Sequence, residues 1–460
     1  MKNIILIITD TFRFDNLGQG STVKTPMLDG FASERAVSME RFYTGSYPTI
    51  PHRTDLASGV LGWPHHGWQP IGKSGPNHIA KLLSDAGYAT QLICDSPHLF
   101  ESGFQDPFDG AYQHRGQEGD TPLLHLNDEI EEVMPPDKTR ISPSFRGHTL
   151  VDRHRWTNRY YEGEYDTFAA KIGHTTVRWL EENYRAGPFF LWVDLFDPHE
   201  PWDPPEYMVR RYDPDYKGVP MLHPNYGRSS DYTAPELKNL HAHYAAEAEL
   251  VDRYIGRILE KIEDLKLFDE SLVIVTSDHG ICLGEHGRTG KSNISALDDR
   301  FWPLYPEINH VPFLIAGGGI EGGRSSRAMA QPVDILPTVM DLAGVDATPS
   351  QPFDGLSFAE VLTEGKLRHR DYTVSGTFLR AADGRVPKHA VTPFLITDEW
   401  GYAPVGSDGE PELYNLPVDG RAETDVSASN SSVLEGLNQL LTAHLRDHGA
   451  EPEFYRMWIR

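Results

Sequence analysis

Three short apolar runs in this sequence end in acid or imidazole: the first at Asp10-Thr11, another at Asp194-Leu195-Phe196-Asp197-Pro198-His199, and a third at Asp278-His279-Gly280. Asp combined with His is the ligand set expected of a divalent cation. Carboxylate oxygen suits Mg²⁺, Ca²⁺ or Mn²⁺, and imidazole shifts the choice toward Mn²⁺ or Zn²⁺. Taken singly, Asp10 and Asp278 also suit the capping of a following turn. Together with His279 they suit an ion better.

The segment Ser46-Tyr47-Pro48-Thr49-Ile50-Pro51-His52-Arg53 adds a hydroxyl and a guanidinium. Pro51 fits the first turn of a helix, which puts Thr49 at the N-terminus, where the helix dipole favours an anion. Arg53 follows one turn along. A hydroxyl beside a metal and an Arg is a nucleophile suited to phosphorus or sulfur; on its own, Thr49 would sooner serve as a helix cap.

These residues need a scaffold that gathers distant segments at one edge. Apolar runs at residues 4–8, 89–94, 189–195, 272–276 and 311–315 read as strands buried on both faces. Val251, Ile255, Ile258, Leu259 and Ile262 recur at helical spacing within residues 245–265, and residues 78–86 read as a helix closed by Gly87. Alternation of this kind predicts an α/β fold, a doubly wound sheet with helices on both faces, with ligands beyond the carboxyl ends of its strands. Residues 104–149 and 201–235 read as long ordered loops, with Arg115-Gly116-Gln117-Glu118 either touching substrate or simply solvated. A boundary is expected within residues 345–353. It separates a catalytic domain, 1–350, from a small C-terminal α+β domain, 351–460, with strands at 372–375, 394–397 and 412–416 and a final helix at 432–446.

The chain has 460 residues, with 42 Lys and Arg against 67 Asp and Glu, a formal net charge of −25. That balance argues against nucleic acid as a partner, because polyanion binding needs a broad basic surface. A small anionic ester in a local positive pocket remains compatible with it, as does a homo-oligomer. Cys94 and Cys282 are the only cysteines, too few for a disulfide framework or a Cys-rich metal site. The apolar run at residues 4–8 ends in an acid and reads as a strand rather than the apolar core of a secretion signal, which needs about 7–15 residues. No run approaches the roughly 18–20 residues of a membrane span, so no membrane partner and a cytoplasmic location are expected.

The segment from Ser46 to Gly59 resembles the Cys/Ser-x-Pro-x-Arg-x-x-Leu-x-Thr-Gly signature of the sulfatases, within the alkaline phosphatase superfamily, with Thr49 at the position converted there to formylglycine. Further matches follow in family order: Asp10 with Arg13 and Asp15, Thr25-Pro26-Met27-Leu28-Asp29, Asp197-Pro198-His199-Glu200-Pro201, Ser277-Asp278-His279-Gly280, Gly284-Glu285-His286-Gly287 with Lys291, and Glu412-Leu413-Tyr414-Asn415-Leu416. The resemblance implies one divalent ion (Mn, Zn or Ca, with Mg a further candidate) on Asp10, Asp278 and His279, the Thr49 oxygen completing the shell and Thr11 as an added oxygen. It also implies that Arg53 orients Thr49, that Lys291 binds a substrate oxygen, and that His199 protonates the leaving group. Asp95, His98 and His286 are expected to line the pocket.

Two departures redirect the expected chemistry. Thr49 cannot become the aldehyde, which is made from Cys or Ser, and Thr11 stands where typical sulfatases carry a second Asp. Asp278-His279 with Lys291 is similar to the pattern of phosphonate monoester and phosphodiester hydrolases. The expectation is therefore metal-dependent hydrolysis of a phosphorus ester through Thr49. Sulfate ester hydrolysis without formylglycine is one alternative, and a non-catalytic sulfatase-like binding protein is a second.

Overall fold

The computed structural model describes residues 2–69, 77–140, 145–292, 298–346, 348–379, 386–387 and 389–459. Residues 141–144 of the expected long loop and Ala347 of the expected boundary lie outside them. The main sheet has eight strands: β1 (Asn3–Thr9), β2 (Val37–Phe42), β3 (Ala89–Cys94), β4 (Gly110–Gln113), β5 (Phe189–Leu195), β6 (Ser271–Ser277), β7 (Phe313–Gly317) and β8 (Arg324–Ala330). Their order is β8-β2-β7-β6-β1-β5-β3-β4. Every residue of β1, β5 and β6 is buried, as helices on both faces require.

Side-chain alternation along β1 divides the interior in two. Ile4, Leu6 and Ile8 pack with α2 (Thr49–Ser58), α3 (Ile79–Asp85) and α6 (Ile335–Ala343), through Ile50, Leu83 and Val339 among others. Ile5 and Ile7 face α1 (Pro26–Glu34), α4 (Phe168–Asn183) and α5 (Ala234–Asp264), meeting Leu28, Ile172 and Ile255. Each such buried aliphatic side chain stabilises the fold by roughly 1.5–3 kcal/mol. Helix α5 begins earlier than the apolar stripe suggested, because Thr233 and Glu236 form a capping box and Pro235 sits in the first turn, where its missing N–H costs nothing.

The sheet is mixed, not wholly parallel. β7 runs antiparallel to both β6 and β2, so the chain re-enters the sheet at the edge where β6 ends. Strands β2 and β8 carry no long apolar run: polar residues interrupt VSMERF, and the first four residues of RSSRAMA are polar.

The C-terminal region forms a four-stranded antiparallel sheet, β9 (Tyr372–Ser375), β10 (Phe394–Thr397), β11 (Trp400–Ala403) and β12 (Glu412–Asn415), in that order. Helix α7 (Ser431–Asp447) packs Leu437, Leu441 and Leu445 against it. Among the described residues no helix is long and apolar enough to cross a membrane.

Candidate active site

Parallel pairing of β5, β1 and β6, with Ile8 opposite Asp194 and Thr9 opposite Ser277, brings three strand ends out at one edge. The chain is locked there: Asp10 N–H donates to the Leu195 carbonyl at 3.0 Å and Asp278 N–H to the Thr9 carbonyl at 3.2 Å. Thr49 is the first residue of α2, at the positive end of the helix dipole, and its Oγ1 donates to Asp10 Oδ2 at 3.1 Å. One turn on, Arg53 is wholly buried. Its Nε and Nη2 donate to Asp194 Oδ2 and Oδ1 at 3.2 and 3.0 Å, and Nη1 reaches Asp278 Oδ2 and lies 3.6 Å from Asp10 Oδ2.

His279 completes a donor set. Its Nδ1–H donates to the Gly280 carbonyl at 3.0 Å, which leaves Nε2 buried without a partner, 3.5 Å from Asp278 Oδ2 and 3.8 Å from Asp10 Oδ1. One donor atom each from Asp10, Asp278 and His279 all lie within 4.8 Å of one another. Burial pushes the His279 pKa down to about 3, so the ring presents the neutral nitrogen that a metal needs. Gly280 is required by the close approach of the backbone: a Cβ there would meet the Glu307 carbonyl at 2.2 Å.

Electrostatics also ask for a cation. Burial opposes charge on Asp10, but His279, His199, Arg53 and Lys291 together hold it well below the usual carboxylate range. Asp278 is pushed well above that range by burial and by the Asp10 charge, despite Arg53. Asp10, Asp194 and Asp278 crowd around the single guanidinium of Arg53, and a divalent ion would let Asp278 ionise beside Asp10. The donor chemistry, the unpartnered imidazole nitrogen and the charge all fit such an ion.

Thr11 adopts φ 65°, a conformation costly for a β-branched residue and held only where neighbours impose it. Here its N–H donates to Asp278 Oδ1 at 3.0 Å, its Oγ1 donates to Asp10 Oδ1 at 2.8 Å, and Lys291 Nζ donates to the same Oγ1 at 2.9 Å. The hydroxyl thus bridges Lys291 and Asp10. Lys291 Nζ also lies 3.3 Å from Glu200 Oε2, and Glu200 accepts from the Tyr226 hydroxyl. His199, stacked on Phe196 at 4.0 Å, donates from Nδ1 to the Glu200 carbonyl at 2.6 Å.

The remaining expected pocket residues divide. His98 stands between Trp68 and Phe196, at ring distances of 5.0 and 5.8 Å, and feels the charges of Glu118 and His199. Asp95 is taken up by the scaffold, accepting from Phe196 N–H at 2.7 Å and Gln117 Nε2 at 3.4 Å. His286 turns to Glu307, 3.0 Å from its Oε2, and stacks on Tyr305 at 3.8 Å. Asp194 and Glu200 stand in segments named from the sequence, which assigns them no role, and Tyr226 carries no signal there. Asp194 carried a usable signal, an acid inside a run buried on both faces, which requires a partner.

Comparison with known proteins gives this geometry its context. The family model described as Sulfatase matches residues 2–345. Arylsulfatase K of Bos taurus is 26% identical over 482 aligned positions, covering 95% of this chain and 81% of its own length. The multifunctional alkaline phosphatase superfamily protein of Trinickia caryophylli is 23% identical, covering 79% and 78%. Among solved structures, the phosphonate monoester hydrolase of Agrobacterium radiobacter superposes with a TM-score of 0.70 at 21% identity, over 97% of this chain and 96% of that one. The family model spans about three quarters of the chain and includes every residue of the cluster around Asp10: the protein belongs to the sulfatase family and is a hydrolase of ester bonds.

Proposed function

We propose that this sulfatase-family hydrolase cleaves a small anionic phosphorus ester, a phosphodiester, phosphonate or phosphate monoester, with Thr49 as nucleophile. The observation that carries this reading is the hydrogen bond from Thr49 Oγ1 to Asp10 Oδ2 at 3.1 Å, at the start of α2 and one turn from Arg53. A divalent ion held by Asp10, Asp278 and His279, with the Thr49 oxygen in reach, would supply Lewis acidity to the hydroxyl and screen the substrate's charge.

Asp10 Oδ2 is placed to take the Thr49 proton as Oγ1 attacks phosphorus. Arg53 fixes the carboxylates around that oxygen, and Lys291 Nζ meets a non-bridging substrate oxygen as charge develops. His199, whose Nδ1 is committed to the Glu200 carbonyl, gives a proton from Nε2 to the departing oxygen, a contribution of roughly 10²–10⁴-fold. The bond from Thr49 Oγ1 to phosphorus forms and the ester P–O bond breaks, releasing the alcohol. Water then attacks phosphorus, passing a proton to His199 Nε2, the Oγ1–P bond breaks, and Thr49 recovers its proton from Asp10.

A formylglycine diol sheds sulfate by collapsing to the aldehyde. Threonine has no such route, so release must come from attack of water on the central atom, which favours phosphorus. A second reading, sulfate ester hydrolysis by the same residues, draws support from the arylsulfatase names among the relatives. Wild type and Thr49→Ala, assayed with Mn²⁺, Zn²⁺, Ca²⁺ or Mg²⁺ on bis-p-nitrophenyl phosphate, p-nitrophenyl phosphate, p-nitrophenyl phenylphosphonate and p-nitrophenyl sulfate, separate the two. Sulfate turnover above all three phosphorus esters would reverse the order. Undiminished turnover by Thr49→Ala would remove the nucleophile.

A further inference from the structure

The loop carrying Arg115-Gly116-Gln117-Glu118 is not solvated at its centre. Gln117 and Glu118 are 4% and 6% exposed. Gln117 Nε2 donates to Asp197 Oδ1 at 2.7 Å and to Asp95 Oδ2 at 3.4 Å, tying the loop to the ends of β5 and β3. Gly116 N–H donates to Asp120 Oδ2 at 2.9 Å, and Asn158 Nδ2 to the Gly116 carbonyl at 3.0 Å. What these anchors position is the Glu118 carboxylate. Oε2 lies 3.9 Å from His199 Nδ1 and Oε1 lies 3.8 Å from Arg140 Nη1, and it accepts no hydrogen bond from a described residue.

Oε1 has Arg140 as its ion-pair partner, and Oε2 is the oxygen turned toward the His199 ring. We propose that Glu118 is a positioning residue for His199, supplying a counter-charge at the Nδ1 edge of its proton-bearing form, so that His199 can assist a poor leaving group. This inference rests on the role given to His199 above. The groups that face the ring are Glu118, the Glu200 carboxylate at 3.8 Å, and, farther off, Asp10, His98 and His279. Glu200 is already shared between Lys291 and Tyr226, which leaves Glu118 as the carboxylate least committed elsewhere. The arrangement follows the logic of an acid behind a catalytic imidazole, where the carboxylate orients the ring and stabilises the imidazolium without taking the proton. Here Nδ1–H stays on the ring and donates a hydrogen bond to the Glu200 carbonyl, and the proton on Nε2 leaves with the alcohol.

The test compares leaving groups. A p-nitrophenolate departs without a proton, whereas a methoxide needs one. Wild type, Glu118→Gln, His199→Ala and the double variant are assayed on the p-nitrophenyl and methyl esters of phenylphosphonate, with thermal midpoints confirming that each is folded. If wild type turns over only phosphates or sulfates, the same pair of leaving groups is used there. The expected result is that Glu118→Gln loses on the order of 10-fold more activity on the methyl ester than on the p-nitrophenyl ester, and that it costs nothing further once His199 is Ala. Equal losses on both esters, or an undiminished loss in the His199→Ala background, overturn the proposal. If wild type cleaves no ester of any series, the reading of the site itself fails and this inference falls with it, a result distinct from the other two.

Discussion

Arg53 and Asp194 meet fork to fork beneath the site, Nε to Oδ2 at 3.2 Å and Nη2 to Oδ1 at 3.0 Å, with neither side chain exposed. The third guanidinium nitrogen continues to Asp278, so this pair sets the height at which Asp278 faces Asp10. Asp194→Ala leaves a buried guanidinium half-partnered and is expected to destabilise the protein by about 3–5 kcal/mol, read as a lowered midpoint in urea. Arg53→Lys cannot reproduce the planar fork and should also lose activity. A melt of Asp194→Ala that overlays the wild type would show that the pair does not hold the floor of the site.

Removing a divalent ion should lower stability as well as activity. An ion that binds only the folded chain adds about 2.7 kcal/mol at one hundred times its dissociation constant. Chelator-treated protein is therefore expected to gain in thermal midpoint when Mn²⁺, Zn²⁺ or Ca²⁺ is returned. His279→Ala removes the unpartnered Nε2 and should abolish that gain, while costing the chelated protein little beyond the lost ring. An equal gain in His279→Ala would place the ion elsewhere.

Much of this site could be read from the sequence because each part carried a local signal. Asp10 and Asp278-His279 follow apolar runs, and Thr49 and Arg53 are one helical turn apart. What stayed hidden depends on contacts between distant segments. Glu200 gains its meaning from Lys291, 91 residues on, and Glu118 from His199 across two loops. The antiparallel direction of β7 was equally invisible, since a run such as FLIAG has the same pattern in either sense. Strand β8, at the sheet edge, gave no apolar run to find.

Gly280 tests how tightly the edge is built. Because a Cβ would overlap the Glu307 carbonyl and press on Arg13 Cγ at 2.9 Å, Gly280→Ala must displace the backbone between His279 and the following turn. The nearer neighbour is main chain and cannot rotate away. Turnover is expected to fall by on the order of 10²-fold, since misplacement of about 1 Å has that effect, and the gain from added divalent ion should shrink in parallel. Full activity in Gly280→Ala would mean that His279 needs no such precision.

Asp334 gives the stability a defined acid limb. It lies just before α6, receives Arg370 Nε at 2.7 Å, Gln331 N–H at 3.0 Å and Leu356 N–H at 2.8 Å, and so ties the main sheet's helix layer to the approach to β9. Burial works to raise its pKa, but Arg370 and His369 bring it down from 3.8 to about 2. A carboxyl whose folded pKa is lowered binds fewer protons than in the unfolded chain. Its contribution is therefore complete above about pH 4 and is lost as pH falls toward 2, and it amounts to on the order of 2 kcal/mol. Asp334→Asn should be less stable than wild type at pH 7 by that order, and the difference should narrow between pH 4 and 2. Denaturant midpoints measured across that window decide it: two curves that stay parallel down to pH 2 would show that the Asp334 charge does not link the two regions.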